Sequence, residues 1–147
     1  MSENTLNSIG VRVEGGLADT GNALPVMHEV LHALRRLDSQ AESTTIDLRA
    51  IPFGPGDEQR LLDMLGSGEI RATIDSLGRT DIRETRFHGA WIVDHYDAAG
   101  TRIGLQVEIT DCPALIQTPK EDISEAVAAL ESVLATAGTS PSQEATQ

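Results

Sequence analysis

Hydrophobic residues recur at helical spacing in the first half of the chain. Over residues 24–37 they fall on one stripe with a period of 3.6, which predicts an amphipathic helix with Pro25 in its first turn. The stripe consists of Leu24, Met27, Val30, Leu31, Leu34 and Leu37. Residues 57–65 repeat the pattern on a smaller scale, and Gly66 is a typical helix stop, so we predict a second helix there.

The pattern changes from helical spacing to alternation between residues 69 and 110. Ile70, Ala72 and Ile74 alternate with polar neighbours, which is typical of a strand with one buried face. Further strands are predicted around Ile82, over residues 90–96 and over residues 103–110. Their links are too short for the crossover that parallel strands need, so they should form an antiparallel meander. Residues 44–48 predict one more short strand.

The last predicted element is a helix that starts near residue 119. Thr118-Pro119-Lys120-Glu121 fits a capping box with proline at the first helical position. Ile123, Val127, Leu130 and Leu134 then form an apolar stripe. These elements predict an α+β fold, a mostly antiparallel β-meander packed against two or three helices in two layers. We expect a flexible segment over residues 1–20, a single domain over 21–137 and a disordered tail over 138–147.

Charge and cysteine content narrow the choice of partners. The 147-residue chain carries 23 acidic and 11 basic residues, a formal charge of −12, which disfavours nucleic acid and anionic membrane surfaces. Cys112 is the only cysteine, so no intramolecular disulfide or all-thiolate metal cage can form. The N-terminus has no secretory signal pattern and no apolar run is long enough to span a bilayer. We therefore predict a cytoplasmic protein.

The sharpest chemical motif is His28-Glu29-Val30-Leu31-His32, which fits the H-E-x-x-H pattern of zinc hydrolases on a predicted helix. Both imidazoles could reach one metal while Glu29 polarised a water. Arg35 lies on the same face as the two histidines in helical projection, and no motif supplies a third ligand. We favour ordinary surface histidines, with metal binding at the pair and then metallohydrolase activity as the alternatives.

Two further candidates have a functional and a structural interpretation. Glu69 and Glu84 lie on neighbouring predicted strands and could form a pair of carboxylates, although solvated residues paired with Arg71 or Arg83 are more common. Trp91 is the only tryptophan. It could anchor a partner, because tryptophan dominates interface hot spots, but we favour a core position, because tryptophan is usually buried.

The order of side chains in this chain resembles one known family. The resemblance rests on Ile46-Asp47-Leu48-Arg49 with Pro52, Leu65-Gly66-x-Gly68-Glu69-Ile70, Ile82-x-Glu84-Thr85, Gly89-Ala90-Trp91-Ile92-Val93 and Leu105-Gln106-Val107-Glu108-Ile109 before Pro113. These elements are similar to the C-terminal domain of the HupH/HyaF-type accessory proteins for NiFe-hydrogenase expression and formation. Longer members of that family carry an additional N-terminal half.

The resemblance implies a non-enzymatic chaperone that needs no cofactor. It would bind the iron–sulfur small subunit of an uptake hydrogenase before assembly, or other maturation factors. The family-like positions divide into expected partner contacts (Glu69, Glu84 and Trp91) and expected turn or structural positions (Gly66, Gly68, Thr85 and Gly89). A binding module that dimerises through a free sheet edge is a further alternative.

Overall fold

The computed structural model describes residues 21–139, which form two compact units, one through Pro113 and the other from Ala114 onward. The first unit is built on a five-stranded antiparallel sheet with the strand order β1-β5-β4-β3-β2. The strands are β1 (Thr44–Asp47), β2 (Arg71–Asp75), β3 (Arg79–Glu84), β4 (Ala90–Tyr96) and β5 (Arg102–Ile109). Strands β2 to β5 form the predicted meander, and β1 pairs with β5 at one edge.

Two helices of the first unit share its hydrophobic core with the sheet. They are α1 (Ala23–Gln40) and α2 (Asp57–Leu65), and a short 3-10 helix, Leu48–Ala50, follows β1. The core consists of Ala23, Val26, Val30, Ala33, Ile46, Leu48, Leu61, Leu65, Ala90, Ile92, Leu105, Val107 and Ile109. The predicted α+β class is confirmed, and the predicted bounds of α2 match the structure.

The buried face of α1 differs from the predicted stripe. Ala23, Val26, Val30 and Ala33 are the buried residues of this helix. Leu24 and Leu31 were expected inside but are 45% and 42% exposed. The small side chains let α1 approach its neighbours closely, and the larger leucines are left on the flanks. The stripe was misplaced because the larger hydrophobic side chains were given the greater weight.

The two faces of the sheet have different surroundings. Successive residues of a strand point to opposite faces, so Ile92 and Trp91 lie on opposite sides of β4. Ile92 belongs to the core shared with the helices. On the other face Trp91 pairs with Glu84, and Val93 pairs with Ile82. All four of these side chains are buried.

The second unit contains a 3-10 helix, Ala114–Ile116, and the helix α3 (Lys120–Gly138). The predicted capping box is wrong, since Pro119 is the N-cap residue and no side chain caps the helix. The expected apolar stripe is present in the sequence, but its side chains are 52–62% exposed. Gly138, the first residue of the predicted tail, is the last residue of α3. The predicted segment 1–20 and residues 140–147 lie outside the described part.

No helix within residues 21–139 is both long and apolar enough to cross a membrane.

Candidate functional site at the turn end of the sheet

Three chain segments converge at the end of the sheet where α2 leads into β2 and β3 turns into β4. Backbone hydrogen bonds join them: Gly68 donates to Glu84 at 2.8 Å, and Glu84 donates to Ile70 at 2.9 Å. Arg86 donates to the last residue of α2, Leu65, at 3.0 Å. We call this region the turn end. It contains all seven of the family-like positions named from the sequence.

Gly68 lies in the tightest backbone contact of the turn end. A Cβ atom at this position would lie 2.6 Å from the Thr85 carbonyl oxygen and 2.7 Å from Oε2 of Glu84. Real Cβ atoms do not approach other atoms so closely, so only glycine fits without movement of the backbone. The Gly66-Ser67-Gly68 turn is therefore a structural device that lets α2 and β3 come together. Gly66 itself ends α2, as predicted.

Glu84 is buried, which contradicts the expectation of a solvated strand residue paired with Arg71 or Arg83. Its Oε1 lies 2.9 Å from Nδ1 of His88. That hydrogen bond and the charge of His88 lower the pKa of Glu84, as do the backbone N–H groups of Glu69 and Ile70, against an opposing effect of burial. The carboxylate is thus held in its charged form inside the turn end.

His88 is the partner of Glu84 that sequence reasoning missed. Its side chain is 84% exposed. The hydrogen bond that His88 donates to Glu84 and that carboxylate's charge raise the pKa of His88, and the charge of Glu69 adds to the effect. The spacing of four residues across the short β3–β4 connection was the available signal.

Thr85 and Gly89 shape the connection between β3 and β4. The Thr85 hydroxyl donates to the Phe87 carbonyl oxygen and accepts from the Phe87 N–H, both at 3.1 Å. Gly89 has a φ of +93°, a conformation that L side chains rarely adopt, and it faces Leu34 and Leu37 of α1. The expected turn roles of both residues fit this geometry.

Trp91 is 4% exposed and its indole N–H donates to the carbonyl oxygen of Thr110 at 3.0 Å. A buried ring with a satisfied donor is typical of a core anchor. Glu84 likewise offers almost no surface. Of the three residues expected to contact a partner, only Glu69 is exposed, and its role in binding stays a prediction.

The H-E-x-x-H motif lies on the surface of α1. His28, Glu29 and His32 are all exposed. Within residues 21–139 no group of three or more His, Cys, Asp or Glu side chains is placed to hold a metal. The third ligand that a zinc hydrolase needs is therefore not supplied in the described part of the chain, and the metallohydrolase alternative gains no support.

A second polar cluster, also missed from the sequence, lies on the helix side of the sheet. Arg102 donates to both carboxylate oxygens of the buried Asp94 at 2.8 Å, and the Tyr96 hydroxyl donates to the same carboxylate. Hydrogen bonding to Asp94 raises the pKa of Arg102. Arg102 also reaches Glu58 of α2 at 3.1 Å. This cluster joins β4, β5 and α2, and we interpret it as structural.

Comparison with known families shows which family this chain belongs to. The model of the C-terminal conserved region of HupH hydrogenase expression proteins matches residues 20–137, most of the sequence. The chain belongs to this family. Its HupH-type region contains the whole turn end and both units of the structure through α3.

Two similar proteins are also named as hydrogenase expression/formation proteins. The chain is 29% identical over 114 residues to the hydrogenase expression/formation protein HoxQ of Azotobacter vinelandii, covering 76% of this chain and 40% of the relative. It is 28% identical over 117 residues to HupQ of Azotobacter chroococcum mcd 1, covering 78% and 41%. The chain thus spans about two fifths of the length of these relatives.

A solved structure supports the HupH-type fold directly. The hydrogenase expression protein HupH from Thiobacillus denitrificans ATCC 25259 superposes with a TM-score of 0.77 at 37% sequence identity. The superposition covers 80% of this chain and 98% of that one. The family resemblance inferred from the sequence motifs is confirmed: the chain belongs to the HupH family of hydrogenase expression/formation proteins.

Proposed function

We propose that this chain is a non-catalytic chaperone that binds the iron–sulfur small subunit of an uptake NiFe hydrogenase before assembly. The observation that carries the proposal is membership of the HupH family over residues 20–137. The relatives HoxQ and HupQ are named for hydrogenase expression and formation. A binding role suits a protein that acts on another protein's assembly.

The chemistry of the turn end supports a non-catalytic role. Its buried carboxylate, Glu84, is already engaged by His88 and by backbone N–H groups. Gly68, which lies against that carboxylate, leaves no room for a substrate atom between them. A group that is packed and hydrogen-bonded on all sides stabilises a fold, whereas a catalytic carboxylate must reach a reacting atom.

The free edge of β2 is the client-binding surface that we propose. β2 is the last strand of the sheet and pairs only with β3 among the described strands. Ile70 accepts a hydrogen bond from Glu84, and Ser76 donates one to Gly78, so the even-numbered residues of this segment face β3. The backbone N–H and C=O groups of Arg71, Thr73 and Asp75 therefore point outward. Such a row can accept an added strand from an incompletely folded client.

The acidic character of the chain supports attraction of a basic client segment. The formal charge of −12 would raise the rate of association with such a segment more than the final affinity. The attraction should weaken as salt increases, because ions screen exposed charges beyond about 8 Å at physiological ionic strength.

Co-purification tests the proposal as a whole. The chain is expressed with the hydrogenase small-subunit precursor, and the complex is captured at low and at high salt. We expect a complex at both, with faster association at low salt. Failure to capture the precursor at either salt would contradict the proposal.

A matched pair of variants tests the β2 edge. Thr73→Pro removes an outward N–H without removing a backbone hydrogen bond to β3, but it also removes the hydroxyl that donates to Asp81 of β3 at 3.1 Å. Thr73→Val loses the same hydroxyl and keeps the N–H, so it controls for that loss. We expect Thr73→Pro to weaken capture of the precursor at least about tenfold, the effect of a lost strand contact. Thr73→Val should bind as the unaltered chain does. Equal binding by the two variants would exclude strand addition at this edge, even if the chaperone role stands.

A further inference from the structure

An apolar groove runs along the exposed side of α1. Its first part, about 280 Å³, is lined by Met27, His28, Val30, Leu31, Leu34 and Phe87. A second part adjoins it at Leu34 and is lined by Arg35, Leu37, Asp38 and His88. Leu31 and Phe87 are 42% and 37% exposed. We call these two parts together the α1 groove.

The helix α3 has an exposed apolar ridge on one face, which is the shape that fits an apolar groove. Ile123, Val127, Leu130 and Leu134 follow one another at spacings of four, three and four residues, which places them on one face. All four are more than half exposed. In proteins most of a helix's stability comes from packing of its apolar face, so burial of this stripe would stabilise α3.

The groove and the stripe match in length. The groove extends from Met27 to Asp38 along α1, and the stripe extends from Ile123 to Leu134 along α3. Each spans the same number of residues, about 16 Å of helix at 1.5 Å per residue. A helix laid in a groove makes contact through side chains spaced in this way.

Their charges are also complementary. α3 carries four acidic residues, Glu121, Asp122, Glu125 and Glu131, and one basic residue, Lys120. Basic side chains border the groove: His28 and Arg35 lie on α1, His88 lies at the far end, and the guanidinium of Arg86 lies 5.1 Å from the centre of the Phe87 ring. Asp38 is an acidic exception in the lining. Two α3 helices side by side would instead bring like charges together.

We propose that the α1 groove receives α3 from a second copy of this chain, and that the exchange is reciprocal. A dimer of this kind covers two grooves and two stripes at once. The closed two-fold arrangement uses the same pair of surfaces twice and leaves none free for further growth. This inference concerns self-association and does not depend on the identity of the client.

The test uses the full chain and light scattering after size-exclusion chromatography. We expect a mass of twice 15.7 kDa. Leu31→Asp in the groove and Leu130→Asp in the stripe each place a charge in the apolar contact and should raise the dimer dissociation constant at least about tenfold. Ser132→Asp, on the opposite face of α3, adds the same charge and should leave the dimer intact. Circular dichroism checks that all the variants fold.

Mixing the two disrupted variants distinguishes the possible arrangements. The Leu31→Asp chain has an intact α3 and the Leu130→Asp chain has an intact groove, so a one-to-one mixture should form a heterodimer through one restored contact. A monomeric unaltered chain would overturn the proposal and leave docking of α3 within its own chain, or onto a client, as the remaining explanations. A Leu31→Asp chain that stays dimeric would overturn it in favour of pairing between α3 helices. A mixture that stays monomeric would also overturn it.

Discussion

At the turn end of the sheet Trp91 and Glu84 are both buried, whereas in α3 even Leu130 and Leu134 are more than half exposed. The turn end satisfies its polar groups inside the fold, through Thr110 for the indole and through His88 for the carboxylate. In α3 the apolar side chains have no such cover. The two regions thus differ in where their side chains find partners.

The comparison teaches that recognisable motifs and binding surfaces need not coincide. The glycines and Glu84 that make the sequence recognisable are used to build the turn end. The surfaces proposed above for binding other molecules are the β2 edge, the α1 groove and α3, and none of them is built from the seven family-like residues of the turn end. Paired substitutions in the two regions test this distinction.

The largest difference in the free energy of unfolding between variants of the turn end and of α3 is expected for loss of a large apolar side chain. Trp91→Ala should lower the free energy of unfolding by about 3–5 kcal/mol, because it leaves a cavity and an unpaired carbonyl group on Thr110. Leu130→Ala should change it by no more than about 0.5 kcal/mol at concentrations where the chain is monomeric. Urea unfolding followed by circular dichroism measures both, since Trp91→Ala removes the only tryptophan signal. Similar losses in the two variants would contradict the comparison.

Substitution of glycine by alanine should give a smaller difference in the free energy of unfolding between the turn end and α3. Gly68→Ala brings a Cβ atom against backbone and carboxylate oxygens and should cost about 1–3 kcal/mol. Gly138→Ala meets no atom within 4 Å and should be neutral or slightly stabilising. Tryptophan fluorescence during urea unfolding follows the first unit for Gly68→Ala, and circular dichroism, which also reports α3, is recorded for both variants. A Gly68→Ala chain as stable as the unaltered chain would show that the turn end can shift to accommodate the methyl group.

The smallest effect is the pH dependence of the pair between His88 and Glu84. The pKa of His88 is raised from 6.5, so its contribution is complete below about pH 6.5 and is lost as pH rises through the folded value. The pKa of Glu84 is lowered from 4.5, so its contribution is present above about pH 4.5 and is lost as pH falls through the folded value. The pair of His88 and Glu84 therefore stabilises the fold most between about pH 4.5 and about pH 6.5.

His88→Ala should accordingly lower Tm more at about pH 5.5 than at about pH 8.5. Added salt should reduce the difference, since the imidazole is exposed. His32→Ala, an exposed histidine on α1, serves as the control. Equal Tm losses for His88→Ala at the two pH values would show that the hydrogen bond matters and the charge does not.

Most of the fold could be predicted from the sequence because its signals are local. Alternation identified the buried face of β5 at Leu105, Val107 and Ile109, and Gly66 identified the end of α2. The face of α1 was misplaced, since burial of Ala23 and Ala33 depends on how closely the helix approaches its neighbours. The capping box failed because Thr118 and Glu121 satisfy the spacing but cap nothing in the structure.

The contacts of the site were harder to predict than its residues. The motif residues lie together at the turn end, but the burial of Glu84 depends on three segments that are distant in sequence. The partner of Asp94, Arg102, lies on the next strand, and only the strand register brings the two together. Periodicity contains no information about such cross-strand pairs. The openness of the α1 groove likewise depends on what the rest of the chain leaves uncovered.

The pairing of β1 with β5 has a consequence for synthesis of the protein. Ile46 has its strand neighbour in Val107, so β1 cannot join the sheet until the ribosome has made the chain through β5. The hairpins among β2, β3, β4 and β5 connect residues that are close in sequence and can close earlier, because short loops cost less entropy. Ile46 and the apolar side of α1 therefore remain uncovered until β5 has been synthesised. This interval is the stage of synthesis that is most prone to aggregation.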